Sequence, residues 1–446
     1  MPPLPPAILP GRRLPRAVQH FLHTESAGGI VLLAGAVVAL AWANSPWQAT
    51  YESLWTTELA VEVGRFSLSE DLRHWVNDGL MTLFFFVIGL EIKRELVHGE
   101  LRDPRTAALP VLAALGGMIV PAVLYLLVTN GGPGSAGWGI PMATDIAFAL
   151  GVVALLGRRV PSSLKLFLLT LAIVDDIGAI AVIAVAYSSQ LDRTALAVAG
   201  AGVATVLLLR RAEVTWVPIY VAVGVSVWLA TLASGVHATI AGVVMGLLTP
   251  ASPLAPAALA REWAGDLADE PSPGELAGMT RLAKASVSVA ERLTHQLHPF
   301  TSFVVIPIFA LANAGVTLSA DALAPTGAGA VALGVVVGLV VGKVAGIAAF
   351  SWLSVRLGLS RLPEGVGWGQ CVGIASLAGI GFTVSLFIAG LAFEDPALVA
   401  AAKTGILAAS AAAAVLGAVL VARSSPVTSS PVKGVTVDSP AVGSSR

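Results

Sequence analysis

The chain has 446 residues, of which 56% are hydrophobic and 12% are charged, and its mean hydropathy is +0.83. This composition excludes an ordinary water-soluble globular protein and is typical of a polytopic membrane protein. The apolar runs are long and do not alternate with polar residues, which favours an all-α bundle over a transmembrane β-barrel. The net charge of −1 and the single cysteine, Cys371, indicate neither a partner nor a redox compartment.

The chain starts with a proline-rich, basic stretch, residues 1–23, which lacks the apolar core of a secretory signal and is interpreted as a cytoplasmic tail. Apolar runs of about twenty residues then predict about twelve transmembrane helices within one membrane domain, 24–421. In chain order the runs lie at 24–43, 79–92, 107–128, 138–157, 164–187, 195–209, 214–232, 236–249, 299–317, 328–354, 367–393 and 398–421.

Basic residues test the topology of these segments. Most of the 26 Lys and Arg residues fall at alternate connections between the runs, and only Arg65, Arg73 and Arg193 fall on the opposite side. The positive-inside rule therefore predicts that both termini are cytoplasmic. Lys343 and Lys403 are the exceptions, since each lies within an apolar run.

Three regions outside the apolar runs have a pattern of their own. Residues 58–70 alternate apolar and polar side chains around Gly64 and Arg65, which predicts an external β-hairpin. An isolated hairpin is marginal in water, so we expect it to pair with a second copy of the chain. The loop 250–298 is predicted to be cytoplasmic and to end in an amphipathic helix, and the tail 422–446 is predicted to be disordered.

Two adjacent aspartates interrupt the fifth apolar run, in "LAIVDDIGAI" (171–180). Asp175 and Asp176 lie about eleven residues, or roughly 17 Å, from either end of the run, which places them near the bilayer midplane. An ionisable group there costs at least about 2.5 kcal/mol and suggests a functional site. Because neighbours on a helix point about 100° apart, we expect one aspartate to face a cavity and the other to face Lys343.

A third acid, Asp145, lies in the fourth run beside Gly139, Pro141 and Thr144. Proline and glycine weaken a helix, so we expect an unwound break whose positive helix end Asp145 compensates. The eleventh run has a similar interruption, which contains Gly379 and Gly381. Segments 4 and 11 are the middle members of the triplets 3–5 and 10–12, which predicts a transporter site between inverted repeats with discontinuous helices.

A second polar group is predicted at the cytoplasmic mouth. It comprises Glu91, Arg94 and Glu95 in "GLEIKRELVHGE" with His295 and His298 in "THQLHP". Histidines titrate between pH 5 and 8, so the group is a candidate pH sensor. Two other interpretations stay open, namely an ordinary solvated helix end and a metal site on the two histidines, which lacks a third ligand.

The buried charges also have structural interpretations. A single buried aspartate can form a hydrogen bond that holds two membrane helices together, although an adjacent pair is less easily explained in this way. Lys343 can be a fixed partner of Asp175 or can itself carry a proton. Both alternatives stay open from the residues alone.

Several motifs together resemble the NhaA family of bacterial sodium/proton antiporters. The resemblance runs in order from about Glu25 to Leu420. It rests on "FFFVIGLEIKREL", "GGMIVPA", "IPMATDIAFALGVVALLG", "LAIVDDIGAI", "SGVHATIAGV", "IPIFALANAGV", "LGVVVGLVVGK" and "GIGFTVSLFIAGLAF".

The resemblance implies a role for each matching residue. Asp176 would be the primary ligand of Na⁺, Asp175 its partner in cation and proton exchange, and Lys343 the lysine that pairs with it or carries a proton. Thr144 and Asp145 would lie where the two broken helices cross.

The resemblance further implies that Glu91, Arg94, Glu95, His295 and His298 activate transport according to pH. Thr294 departs from the family's pattern, in which a glutamate often precedes the first histidine, so the resemblance does not imply the family's pH set-point. The 58–70 hairpin would join two copies in a homodimer.

These inferences predict an electrogenic secondary transporter of the bacterial inner membrane that exchanges internal Na⁺ or Li⁺ for external protons by alternating access. It would serve sodium and pH homeostasis. We expect neither an enzyme nor a cofactor or nucleic-acid partner, and no phosphate-binding loop for ATP appears. The rivals are an intramembrane aspartyl protease that uses Asp145 with Asp176 and a symporter of organic anions.

Overall fold

The computed structural model describes residues 16–63, 66–188, 191–212, 214, 216–265, 272–317 and 326–424. The start of the predicted N-terminal tail, the hairpin turn at Gly64 and Arg65, and the predicted disordered tail beyond residue 424 lie outside these residues. Helices dominate the described part, and its one sheet has two strands. The helical fold class and the small hairpin are therefore confirmed.

The described residues up to Leu248 contain ten α-helices and both strands. They are α1 (Arg16–Ala43), α2 (Gln48–Trp55), β1 (Glu58–Val63), β2 (Phe66–Asp71), α3 (Leu72–His74), α4 (Met81–His98), α5 (Pro104–Thr129), α6 (Ile146–Leu156), α7 (Ser162–Ala186), α8 (Arg193–Arg211), α9 (Val217–Ala233) and α10 (Thr239–Leu248).

The second half contains helices alone among its described residues. They are α11 (Ala257–Gly265), α12 (Pro273–Ala285), α13 (Val289–Phe300), α14 (Ile306–Asn313), α15 (Ala328–Val336), α16 (Lys343–Arg356), α17 (Trp368–Leu377), α18 (Phe382–Ala392) and α19 (Pro396–Arg423). Short π-helical stretches join α13 to α14 and α15 to α16, at Thr301–Val305 and Val337–Gly342. Lys343 directly follows the second stretch, at the start of α16.

Among the described residues, six helical segments are long and apolar enough to cross a membrane, or up to nine if each sharply bent pair is one span. One bent pair is α1 with α2. A second joins the 3₁₀ helix Pro133–Met142 to α6 with a bend of 46°, and a third joins α17 to α18 with a bend of 47°. The chain is thus a multi-pass membrane protein whose described part contains three bent helix pairs.

The breaks in the two pairs bent by 46° and 47° contact each other. The extended residues 143–145 separate the first pair, and residues 378–381 separate the second. The Asp145 amide donates to the Ile380 carbonyl at 2.6 Å, and the Ser385 hydroxyl donates to the Ile140 carbonyl at 2.7 Å. Each break leaves backbone groups without a partner in its own helix. Some of these groups are hydrogen-bonded to the other helix pair instead.

Helix α16 packs closely against α5 at two glycines. A Cβ atom added to Gly116 would overlap the Gly346 carbonyl oxygen, and one added to Gly346 would overlap the Gly116 carbonyl oxygen. Further along the same crossing, Gly342 lies against the backbone of Pro121. Small residues allow the two backbones to approach in this manner, and the approach positions Lys343 in the core of the bundle.

The hairpin pairs β1 and β2 in antiparallel register, with Glu58 opposite Asp71 and Val61 opposite Leu68. Leu59 and Val61 are exposed on β1. The Trp75 indole donates to the Leu59 carbonyl at 2.9 Å, which ties the hairpin to the start of the α4 segment.

The sequence predicts one amphipathic helix at the end of the loop 250–298. The structure differs from this prediction. Two helices, α12 and α13, occupy this stretch. Ser288 is the N-cap of α13, and its hydroxyl accepts a hydrogen bond from the Glu291 amide at 3.1 Å. A serine in this position is a strong N-cap, and it starts a new helix that continues towards the membrane. The amphipathic pattern therefore continues across a turn that hydropathy alone does not reveal.

Candidate functional site

Helix α7 carries Asp175 and Asp176 in its middle, and both side chains are buried. The helix runs without interruption from Ser162 to Ala186, so the two carboxylates leave it in different directions. Their surroundings differ accordingly.

Asp175 is sealed into a polar cluster with Lys343 and Thr144. The Lys343 ammonium lies 2.6 Å from Asp175 Oδ2, and the side chains of both residues have no exposed surface. The Thr144 hydroxyl lies 2.7 Å from the same oxygen and accepts from Lys343 Nζ at 3.1 Å. A buried ion pair is stabilised by further hydrogen bonds to its atoms, and Thr144 supplies one to Oδ2. Asp175 Oδ1 is buried without a hydrogen-bond partner among the described residues.

The Thr144 hydroxyl also lies 2.8 Å from the Ala378 carbonyl, at the end of half-helix α17. A hydroxyl has one proton, so Thr144 can donate to Asp175 or to Ala378 but not to both at once. When Asp175 is ionised, the Thr144 hydroxyl can donate to its carboxylate. When Asp175 is protonated, its own OH can donate to Thr144, and the Thr144 hydroxyl proton can then point to the Ala378 carbonyl. The geometry thus couples the charge of Asp175 to a broken-helix end.

Asp176 borders a cavity of about 40 Å³, which has room for about two water molecules. Asp175 and Lys343 are not among the residues that line it. The lining runs from Glu91 and His298 to Asp176 at the crossing, and it comprises Phe84, Val87, Ile88, Glu91, Thr144, Asp145, Ile146, Ala147, Asp176, His298, Thr301, Ser302, Ile306, Thr383 and Val384.

Asp145 caps two helices at once. Its Oδ1 accepts from the Phe148 amide at 2.9 Å, at the start of α6, and its Oδ2 accepts from the Thr383 amide at 3.0 Å, at the start of α18. The Thr383 hydroxyl adds a bond to Oδ2 at 2.8 Å. A carboxylate is favourable at a helix N-terminus because of the partial positive charge there, and Asp145 serves two such ends.

The residues predicted to break the helices lie close to the breaks. Gly379 and Gly381 are within the turn between α17 and α18, whereas Gly139 and Pro141 lie in the 3₁₀ helix just before residues 143–145. Gly139 is held there by its amide, which donates to the Tyr187 hydroxyl at 3.0 Å.

Of the residues predicted at the mouth, the structure brings Glu91 and His298 together. Both are buried, and His298 Nε2 lies 3.9 Å from Glu91 Oε1. Arg94 and Glu95 pair with each other at 3.5 Å. His295 lies on an exposed part of α13 and does not line the cavity.

Sequence reasoning missed Thr383, Ser385 and the Ala378 carbonyl. Thr383 and Ser385 directly follow the glycines of "GIGFTVS", so hydroxyl residues beside a predicted break were a usable signal. The Ala378 carbonyl had no signal, since a backbone group becomes an acceptor only where a helix ends.

Known proteins share this arrangement of the chain. The family described as "Na+/H+ antiporter 1" matches residues 19–421. The chain belongs to this antiporter family. The match includes the bent pairs around residues 143–145 and 378–381, and it confirms the resemblance noted from the motifs.

Individual relatives within the antiporter family are similar over nearly the whole chain. The Na(+)/H(+) antiporter NhaA of Rhodopirellula baltica is 49% identical over 424 residues, 93% of this chain and 95% of the relative. The Na(+)/H(+) antiporter NhaA 3 of Frankia alni is 47% identical over 423 residues, 93% of this chain and 91% of the relative.

Similarity of fold to solved structures is illustrated by one example. It is the sodium proton antiporter MjNhaP1 from Methanocaldococcus jannaschii at pH 8, with a TM-score of 0.50 and 11% identity. The similarity covers 91% of this chain and 98% of the archaeal chain. At this identity it indicates a shared fold of the bundle and nothing about individual residues.

Proposed function

We propose that the chain exports Na⁺ or Li⁺ in exchange for protons at the aspartate pair of α7. The observation that carries the proposal is the division of the pair, with Asp176 on a cavity and Asp175 sealed against Lys343. Membership of the antiporter family and the names of the relatives agree with this exchange.

Competition for one anionic site couples the two flows. A hard cation that loses water needs several oxygen ligands, and Asp176, Asp175, Thr144 and an unwound carbonyl can provide them. For Asp175 to bind the ion, its hydrogen bond to Lys343 must break. One of these two groups gives up a proton in that step. Protons arriving from the other side then restore the pair and displace the cation.

Exchange at two carboxylates makes transport electrogenic if two protons cross for each cation. Each net charge is then driven by about 2.3 kcal/mol per 100 mV of membrane potential. The second proton leaves from Asp175 or from Lys343, which face each other at 2.6 Å. We assign it to the pair as a unit.

The cytoplasmic mouth is proposed to regulate access to the site according to pH. Glu91 and His298 line the same cavity as Asp176 and lie 3.9 Å apart, so protonation of the histidine strengthens their attraction. Arg94, Glu95 and His295 complete the regulatory cluster at the surface of α4 and α13.

The remaining parts of the proposal concern assembly and orientation. Twelve spans, two of them discontinuous, cross a bacterial inner membrane with both termini in the cytoplasm. The hairpin 58–70 joins two copies, because Leu59 and Val61 are exposed among the residues that the structure describes and an isolated hairpin is marginal in water.

Contacts of the site argue against the two rival functions. Both oxygens of Asp145 are engaged by the ends of α6 and α18, which disfavours a protease in which Asp145 and Asp176 share a proton. The deep cation, Lys343, is engaged by Asp175 and Thr144, so it offers no free charge to an organic anion.

The test uses everted membrane vesicles that hold a pH gradient, in which added Na⁺ or Li⁺ dissipates the gradient if the chain is an antiporter. Asp176→Asn is expected to abolish the response. Asp192→Asn is the matched control, since Asp192 is an exposed cap of α8 and asparagine also caps helices.

The expected result is a cation-dependent response for wild type and the control, and none for Asp176→Asn at equal expression. A wild-type chain that shows no response between about pH 6.5 and 9 would refute the antiporter proposal. A full response of Asp176→Asn would leave antiport intact and refute the assigned site.

A further inference from the structure

A second pocket lies in the loop before the ninth predicted segment, apart from the ion cavity. It is open, has a volume of about 390 Å³, and is lined by Met279, Thr280, Ala283, Lys284, Val287 and Arg292. None of these residues lines the cavity at Asp176. The pocket combines two cationic side chains with an apolar wall.

The two cations have no acidic partner among the residues that the structure describes. Neither Lys284 nor Arg292 forms an ion pair there, and the Arg292 Nε atom is buried without an acceptor. The acid on the same helix, Glu275, is already engaged, because its carboxylate accepts from the Ser272 amide at 2.7 Å. This bond lowers the pKa of Glu275 below its ordinary value of 4.5.

The helices around the pocket expose apolar side chains. Helix α12 has no buried residue, and Leu276 at its start is 48% exposed. Val287, on the pocket wall, is 37% exposed, and Trp263 of α11 is 47% exposed. Cationic and apolar groups side by side on short helices are typical of elements that lie in a membrane interface.

The pocket lies where the chain enters the membrane. Arg292 is in the first turn of α13, and the continuous stretch Val289–Asn313 is apolar enough to cross a bilayer. The first turn of a segment that crosses a bilayer lies near the level of the lipid headgroups, so this placement favours phosphate as the anion for the pocket.

We propose that this pocket binds the headgroup of an anionic phospholipid from the leaflet on the side of the loop. Lys284 and Arg292 contact the phosphate, and Met279, Ala283 and Val287 contact the glycerol and the first acyl carbons. Charge-assisted hydrogen bonds from the Lys284 ammonium and the Arg292 guanidinium, both of which line the pocket, hold the phosphate.

The experiment compares lipid binding by the purified full-length chain in detergent micelles. Phosphatidylglycerol is titrated as the anionic lipid, phosphatidylcholine as the zwitterionic reference, and glycerol phosphate as a headgroup without acyl chains. Bound lipid is counted by native mass spectrometry, and the rise in melting temperature is recorded. Lys284→Gln tests the pocket, and Arg281→Gln is its matched control, because Arg281 lies on the same helix outside the pocket.

Phosphatidylglycerol is expected to bind in preference to phosphatidylcholine, and Lys284→Gln is expected to weaken this binding about fivefold, as for one basic residue near an anionic surface. Arg281→Gln should bind as wild type does. Equal weakening by both variants, or by neither, would overturn the proposal. Binding of glycerol phosphate as strong as that of the lipid would also overturn it, since the site would then take a free anion. A melting temperature without lipid that is unchanged in both variants verifies that they fold.

Discussion

Asp175 and Asp176 are adjacent on one helix, yet their side chains lie in different environments. Asp175 has no exposed surface and bonds to Lys343 and Thr144, whereas Asp176 borders a cavity that reaches Glu91 and His298. The difference teaches that two chemically identical neighbours on one helix can lie in opposite environments, because their side chains leave the helix about 100° apart. On the sealed side every contact is a fixed protein group, and on the cavity side the carboxylate is left for water or an ion.

The largest expected effect comes from breaking the sealed side. Lys343→Met leaves Asp175 as an unpaired carboxylate in the core, which costs about 3 to 5 kcal/mol and should lower the melting temperature by several degrees. The double variant Lys343→Met with Asp175→Asn removes both charges and should recover most of the loss. Thermal melting of the purified proteins in detergent measures both. Equal instability of the single and double variants would contradict a stabilising role for the pair.

A smaller effect is expected from moving the helix that carries the lysine. Gly116→Ala places a methyl group against the Gly346 carbonyl, so α16 must shift away from α5, at a cost of about 1 to 3 kcal/mol. Gly200→Ala in α8 is the matched control, because no atom lies within 4 Å of its added Cβ and alanine favours a helix by about 0.5 to 1 kcal/mol. The same melting experiment should show a fall for the first variant and no fall for the second. A stable Gly116→Ala protein would show that the close crossing is not needed.

The smallest effect on stability is expected on the cavity side. Asp176→Asn removes a buried charge without leaving another unpaired, so the melting temperature should be equal to that of wild type or higher. Stable protein without transport would sharpen the comparison, since the loss of activity would not come from misfolding. A marked fall in the melting temperature would instead make Asp176 a structural residue like Asp175.

Much of the site could be read from the sequence because charges are rare in an apolar chain. Each of Asp145, Asp175, Asp176 and Lys343 is conspicuous in its run, and the depth of each on a helix follows from counting residues. The Asp175–Lys343 contact could be anticipated for the same reason, since few deep cations exist to choose from. Thr383 and Ser385 were missed because hydroxyl residues are common in membrane helices and are not conspicuous.

Positions of the breaks could be predicted only approximately. Gly139 and Pro141 suggested the right turn of the chain, but the extended residues are 143–145, because the Tyr187 hydroxyl and the Asp145 cap determine where each half-helix ends. The double cap by Asp145 could not be predicted either, since one of the two helices it serves begins at Phe382, far along the chain. Contacts between distant segments leave no local pattern.

What the sequence by itself determined is the helical membrane class, the small hairpin and the identity of the deep charged groups. The predicted twelve spans are more than the six to nine that the described residues provide by length and composition. The helical class and the deep charged groups follow from local physics, because a segment in lipid must satisfy its own backbone hydrogen bonds and exclude charge. Only the tertiary structure decided that Thr144 joins the Asp175–Lys343 pair, which residues line the cavity at Asp176, and where the two breaks touch. Those outcomes depend on how α5, α7 and α16 pack together. Packing at glycine contacts depends on the surfaces of both helices, and the sequence of one segment does not specify the other.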